Sequence, residues 1–210
     1  MSLAITKITQ KIEHLAAESK LVYWFAAKYY HDVIKREIKL ANITADDHVL
    51  FIGGGVCPLS AILLHQNTGA KVTVIDNNQS CVSKAQDQIN RLGISDSVSV
   101  LFADGIDANL SFAKYSVVHF AMQVSPMESV FAQVEKKVAL GTKLLVRKPK
   151  KKLSMFYSKL SSRADCKHIL HNGVSNIGST LLYIKEECKH EEKVSVYSAN
   201  SAAAFCAVKA

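Results

Sequence analysis

What this chain lacks removes several classes at the outset. No two cysteines stand as a CxxC pair; Cys57, Cys81, Cys166, Cys188 and Cys206 are odd in number and widely scattered. A zinc clamp, a redox couple and a disulfide framework are therefore not its organising devices, and no metal site is expected. No apolar run reaches bilayer-spanning length, and the first thirty residues show neither a basic start followed by an apolar stretch nor a small-residue cleavage site. A soluble, cytoplasmic protein with no membrane partner and reduced, mostly buried thiols is the expectation.

What is present is a chain of 210 residues, 49% hydrophobic, long enough to bury a substantial core. The formal charge of +8 is local, because Arg147, Lys148, Lys150, Lys151 and Lys152 supply five charges within six residues. Such a run can be a solvated strand exit, an attractor for an acidic small substrate, or a contact for RNA phosphates. No aromatic residues interleave with its lysines, so a stacking platform for single strands is missing and a nucleic-acid partner is disfavoured.

Ile5, Ile8, Ile12 and Leu15 recur at helical spacing, and Val22, Phe25, Tyr29 and Val33 continue the pattern on a second helix. Residues 1–45 thus read as a helical cap. From His48 the pattern changes to short apolar strands alternating with amphipathic helices: HVLFI, PLSAILLHQ, KVTVI, SCVSKAQDQINRL, SVSVLFAD, SVVHFAM and TKLLVR. Strands apolar nearly throughout are covered on both faces, and alternation with helices implies parallel crossovers. Residues 46–210 are predicted to form a doubly wound, Rossmann-like α/β sheet, with Ser125-Pro126-Met127-Glu128 opening one helix as a capping box with proline at its first position. Residues 190–210 read as a further strand or a tail.

The stretch FIGGGVCPLS falls at the first strand-to-helix turn, where ligands bind in open parallel sheets. Gly53, Gly54 and Gly55 would let a ligand meet the main chain, beneath the N-terminus of the helix that begins near Pro58. Asp76 closes the next strand, with Asn77 beside it, where a carboxylate accepts both ribose hydroxyls; a turn or capping aspartate is the competing account. Asp104-Gly105 closes the third, where a carboxylate can meet the exocyclic amine of adenine. A dinucleotide fingerprint starting at Gly53 would need glycine at position 58, which is Pro58, and no Gly-Lys-Ser or Gly-Lys-Thr follows as in a P-loop. Adenosine without phosphates remains.

These residues resemble the class I S-adenosylmethionine-dependent methyltransferase superfamily from roughly His48 to Lys185, and most of all its nicotianamine synthase-like branch. FIGGGVCPLS is similar to that branch's Phe-Ile-Gly-Ser-Gly-Pro-Leu-Pro-Leu-Thr turn at Phe51, Ile52, Gly53, Gly55, Pro58 and Leu59, while Val56 replaces a proline common there. FADGIDANLSFAKYSVVHFAMQV and GTKLLVRKPKKKLSMFY also resemble the branch, including the strand-closing Arg147. The resemblance implies S-adenosylmethionine as cofactor, contacted by Gly53, Gly54, Gly55, Asp76, Asn77, Asp104, Gly105 and Met122. It implies transfer to a small-molecule acceptor, anionic or amine-containing. Methyl transfer comes first by its frequency across the fold; aminocarboxypropyl transfer is the branch's own chemistry. Most superfamily members carry an acid where Phe51 stands, so a non-catalytic S-adenosylmethionine binder is a third reading.

The catalytic group is not evident. His119, inside an apolar strand near the crevice mouth, is either a general base or a satisfied core histidine. Tyr30 falls off the apolar face of its helix, so it could stack on the ligand or face the sulfonium. Cys57 at a helix N-terminus reads as a filler of the third-glycine position or as an activated thiol.

Overall fold

The computed structural model describes residues 20–106, 110–161, 166–172 and 176–187, with side chains from residue 27 onward. The stripe from Ile5 to Leu15, the side chains of Tyr23, Trp24 and Phe25, Cys188, Cys206 and residues 190–210 lie outside these.

In chain order the elements are α1 (Lys20–Ala41), β1 (His48–Ile52), α2 (Leu59–Thr68), β2 (Lys71–Asp76), α3 (Gln79–Arg91), β3 (Val98–Phe102), β4 (Val117–Phe120), α4 (Met127–Lys137), β5 (Lys143–Pro149), β6 (Lys167–Leu170) and β7 (Ile177–Ile184). The strands form one seven-stranded sheet in the order β3-β2-β1-β4-β5-β7-β6. The first five are parallel, pairing β1 with β2 and β4, β2 with β3, and β4 with β5. β7 runs antiparallel to β5, and β6 antiparallel to β7. The all-parallel expectation therefore holds for five strands and fails for the last two. An antiparallel pair needs no crossover helix, so β6 and β7 follow each other without the helical signal that marks the others.

Alternation along each strand separates two cores. Val49 and Phe51 join Val72, Val74, Val100 and Leu145 on the face covered by α1 through its Ile34 and by α2 and α3. Leu50 and Ile52 join Ile75, Val118, Phe120 and Leu144 on the opposite face, covered by Met127, Phe131 and Val134 of α4. Both faces are apolar because both are covered.

Helix ends follow local chemistry. α3 starts where the Asn78 side chain accepts from the Ser80 and Cys81 amides at 3.0 and 3.4 Å. The capping box expected for α4 does not form. Pro126 is the cap residue rather than the first helical one, the Met127 amide donates to Ser158 Oγ at 2.8 Å, and Glu128 accepts from the Ser161 amide at 3.2 Å. A neighbouring segment supplies the partners that the box would have supplied locally. Among the described residues no helix is long and apolar enough to cross a membrane, and no group of three or more His, Cys, Asp or Glu could hold a metal ion.

Candidate active site

β1 has β2 on one side and β4 on the other, so the chain reverses its direction of progress across the sheet at β1. A crevice opens at such a point beyond the strands' carboxyl ends. The cleft found there has a volume of about 440 Å³ and is lined by Gly53 and Gly55 after β1, Asp76, Asn77 and Asn78 after β2, Asp104 to Ile106 after β3, and Gln123 to Pro126 after β4. That volume is in the range of pockets that bury a nucleoside-sized ligand.

Asp76 is oriented before any ligand arrives. Its Oδ2 accepts from the Gly55 amide at 2.8 Å and its Oδ1 from the Asn78 amide at 3.0 Å. The turn role and the cleft-facing role thus coexist, and helix capping falls to Asn78. Asp104 is exposed in the cleft wall, with Oδ1 accepting from the Ile106 amide at 3.2 Å. Three consecutive strand ends bring one glycine turn and two carboxylates to one cavity.

The three glycines divide their work. Gly53 has φ +86°, a left-handed conformation that L side chains rarely adopt, and lines the cleft. Gly54 is not among the residues that line it. A Cβ there would sit 2.2 Å from Val74 Cγ1, so this glycine is required by the packing of the turn against β2. Gly54→Ala should destabilise the fold by about 1–3 kcal/mol. Thermal unfolding measures it, and Val74→Ala in the same chain should restore most of the loss. A Gly54→Ala protein as stable as the parent would contradict the packing account.

Met122 also lies outside the main cleft. It lines a second, smaller compartment of about 30 Å³ with Tyr30, Gln123, Arg147, Tyr157 and Asn176. Gln123 borders both spaces, so the two adjoin at the end of β4.

Behind the small compartment lies a polar network that sequence reading did not find. Glu37 of α1, 0% exposed, accepts from Arg147 Nε at 2.8 Å and Nη2 at 2.7 Å, from Thr180 Oγ1 at 2.6 Å and from His119 Nε2 at 3.2 Å. Arg147 Nη1 donates to Ser60 Oγ at 2.9 Å. Because the Thr180 hydroxyl gives its proton to Glu37, His171 Nε2, 2.8 Å from Thr180 Oγ1, must be the protonated ring nitrogen. Burial pushes the Glu37 carboxyl up, but the Arg147 charge, the His119 contact and their hydrogen bonds overcome it and hold the group well below the usual carboxylate range. Burial pulls Arg147 down, yet Glu37 leaves it above the ordinary arginine value.

His119 is 0% exposed, and burial holds it below the usual histidine value despite Glu37. Its contact with Glu37 is therefore a neutral N–H donating to a carboxylate, and its ring stacks on Phe51 with centroids 4.4 Å apart. It is a core histidine, sealed from any acceptor, which removes it as a candidate base. His48 and His171 are likewise held low, first by burial. As pH falls through about 6.5 the unfolded chain takes up protons that the folded one refuses, so stability present above that pH is lost on acidification. Glu37 adds a second loss further down, as pH falls from the carboxylate range toward its folded value. Calorimetric unfolding between about pH 7.5 and about pH 5 should show a falling Tm; a flat profile would contradict the buried neutral histidines.

Comparison with known proteins decides between the relatives of this fold. The family model described as nicotianamine synthase protein matches residues 9–174. This chain belongs to the nicotianamine synthase family. L-histidine 2-aminobutanoyltransferase of Pseudomonas aeruginosa is 29% identical over 116 residues, 54% of this chain and 43% of that protein. The protein of that name from Yersinia pestis is 25% identical over 139 residues, 66% of this chain and 51% of its own length. The chain spans about half the length of the curated relatives it matches. Among solved structures, a point mutant of MtNAS in complex with S-adenosylmethionine superposes with TM-score 0.68 at 23% identity, covering 85% of this chain and 72% of that one. An RNA methyltransferase from Salinibacter ruber, in complex with S-adenosyl-L-homocysteine, gives 0.61 at 17% identity, covering 74% and 92%.

For a nicotianamine synthase family member, Phe51 is informative. Where most class I transferases carry an acid, this ring is 3% exposed and packs in the core beneath α1 and α2. Cys57, buried at 6%, belongs to the same core, in keeping with the small-residue reading.

Proposed function

We propose that this protein transfers the aminocarboxypropyl group of S-adenosylmethionine to the amine of a small, carboxylate-bearing acceptor. The observation that carries the reading is the family match over residues 9–174, which spans both the glycine turn and the carboxylates of the cleft. The names of the Pseudomonas and Yersinia relatives support the group transferred.

The residues present suit the cofactor. The Asp76 oxygens, each already aligned by one backbone amide, can accept further hydrogen bonds from ribose hydroxyls, since a carboxylate offers about four acceptor sites. Asp104 stands at the end of β3 to accept from an adenine amine, and Ile106 beside it, 47% exposed, offers apolar surface to the ring. Gly53 and Gly55 let the ligand approach the main chain. Bound there, S-adenosylmethionine would supply a sulfonium whose attached carbons are all open to a nucleophile. The protein's part is placement of one carbon in line with the acceptor amine, plus acceptance of the amine's proton. With His119 sealed, Tyr30, which lines the small compartment adjoining the cleft, is the candidate we retain for a place beside the sulfonium. A cytoplasmic location belongs to the same proposal.

Methyl transfer is the second reading, favoured by the methyltransferases that share the fold, such as the Salinibacter protein. Incubation with S-adenosylmethionine and a panel of amino acids separates the two. Methylthioadenosine as by-product supports aminocarboxypropyl transfer, whereas S-adenosylhomocysteine means methyl transfer. Tight cofactor binding without turnover of any acceptor would make the protein a binder only.

A further inference from the structure

The small compartment off the cleft has walls of unusual chemistry. Of its six polar or sulfur-bearing lining residues, Arg147 is the one whose charge is fixed, and it is 6% exposed. An arginine carries five N–H donors. Glu37 takes one from Nε and one from Nη2, and Ser60 takes one from Nη1. Two N–H groups, one on each terminal nitrogen, have no acceptor among the described residues.

Most of the remaining walls can donate as well, Met122 and Ile177 being the apolar exceptions. Gln123 and Asn176 carry side-chain amides, and burial pushes the Tyr157 phenol up, so it keeps its proton at neutral pH. No carboxylate lines the space. Glu37 behind it is saturated by four donors and offers little to an incoming cation. A compartment of about 30 Å³ has room for one small polar group, the size of a carboxylate or a water. An ammonium there would face a fixed positive charge; an anion would be lined by side chains able to donate. The lysine run that begins next to Arg147 adds positive field along the approach.

We propose that Arg147 is the anchor for a carboxylate of the acceptor, which enters this compartment while the acceptor's amine stays on the Gln123 side, facing the cleft. The subsite sets acceptor specificity: it selects carboxylate-bearing amines and fixes which end points at the sulfonium. The amine's lone pair then forms the new C–N bond as the C–S bond breaks toward sulfur, and the amine proton leaves to a base or to solvent. Arg147 takes no part in these bond changes. The inference rests on the transferase reading for its acceptor, but the anion site itself does not.

Two arms test it. In the first, L-histidine and L-histidinamide are compared as acceptors, with methylthioadenosine quantified. The parent should prefer the carboxylate by about 10- to 100-fold in kcat/KM, carried by KM, the range expected for one charge-assisted bidentate contact. Arg147→Lys, which keeps the charge but loses the fork, should lose most of that preference while its calorimetric affinity for S-adenosylmethionine stays within about twofold. In the second arm, acetate is titrated into the parent protein labelled with ¹⁵N-arginine. The Arg147 Nε–Hε resonance should shift saturably. Equal use of the two acceptors together with an unmoved Arg147 resonance overturns the anchor and leaves the transferase reading intact. A saturable acetate shift with no turnover of either amine removes the acceptor reading and keeps the anion site. An unmoved resonance with no turnover overturns the anchor as well.

Discussion

Asp76→Ala should weaken S-adenosylmethionine binding about 100-fold or more by calorimetry. Hydrogen bonds to a charged acceptor contribute about 1.5–3 kcal/mol each, and two ribose hydroxyls are assigned to this carboxylate. A second loss adds to the first. The Gly55 amide donates to Asp76 at 2.8 Å, so the variant also frees the glycine turn from the strand end that aligns it. Asp76→Asn keeps the shape and one acceptor oxygen, and should retain more binding than alanine does. The global fold should be kept, because Asp76 is partly exposed at a strand terminus rather than in either core. An alanine variant with unchanged affinity would separate this carboxylate from the cofactor altogether.

Glu37→Ala should lower stability by about 3–5 kcal/mol, the range for removing one partner of a buried ion pair. The variant leaves the Arg147 guanidinium 6% exposed with its main acceptor gone, and strands the Thr180 hydroxyl and His119 Nε2 as well. For a chain of this size the Tm should fall by about 6–20 °C. Because desolvating the pair is itself costly, Glu37→Leu combined with Arg147→Met should recover most of the loss while abolishing the anion subsite. A loss under about 1 kcal/mol for the single alanine variant would show that Glu37 does not secure the arginine.

The sheet and the cleft were legible because they depend on local pattern. Alternating apolar strands, a glycine turn after β1 and acids after β2 and β3 lie close together in sequence, and the right-handed parallel crossover aligns their ends without further information. Gly54 shows the limit of that reading. Three adjacent glycines look alike, and only the position of Val74 in the neighbouring strand separates the one required for packing. The two antiparallel strands escaped notice for a related reason: KHIL of β6 is short and largely exposed, with none of the apolar continuity of the central strands.

The Glu37 network is built across separations of 82 residues to His119, 110 to Arg147 and 143 to Thr180, beyond the reach of any window. One signal did exist. Continuing the apolar stripe of Val22, Phe25, Tyr29 and Val33 by four positions reaches Glu37, an acid on a buried face, which must find a partner. The basic run supplied that partner in Arg147, its one buried member; Lys148 and Lys150 are half-buried, and Lys151 and Lys152 are exposed.

The central claim is that one nucleoside lies across the ends of β1, β2 and β3, and a crystal structure of the protein with S-adenosylmethionine or methylthioadenosine tests it most directly. The account predicts both ribose hydroxyls within hydrogen-bond distance of the Asp76 oxygens and the adenine amine at Asp104. Ligand density elsewhere, or a ribose that does not touch Asp76, would contradict it.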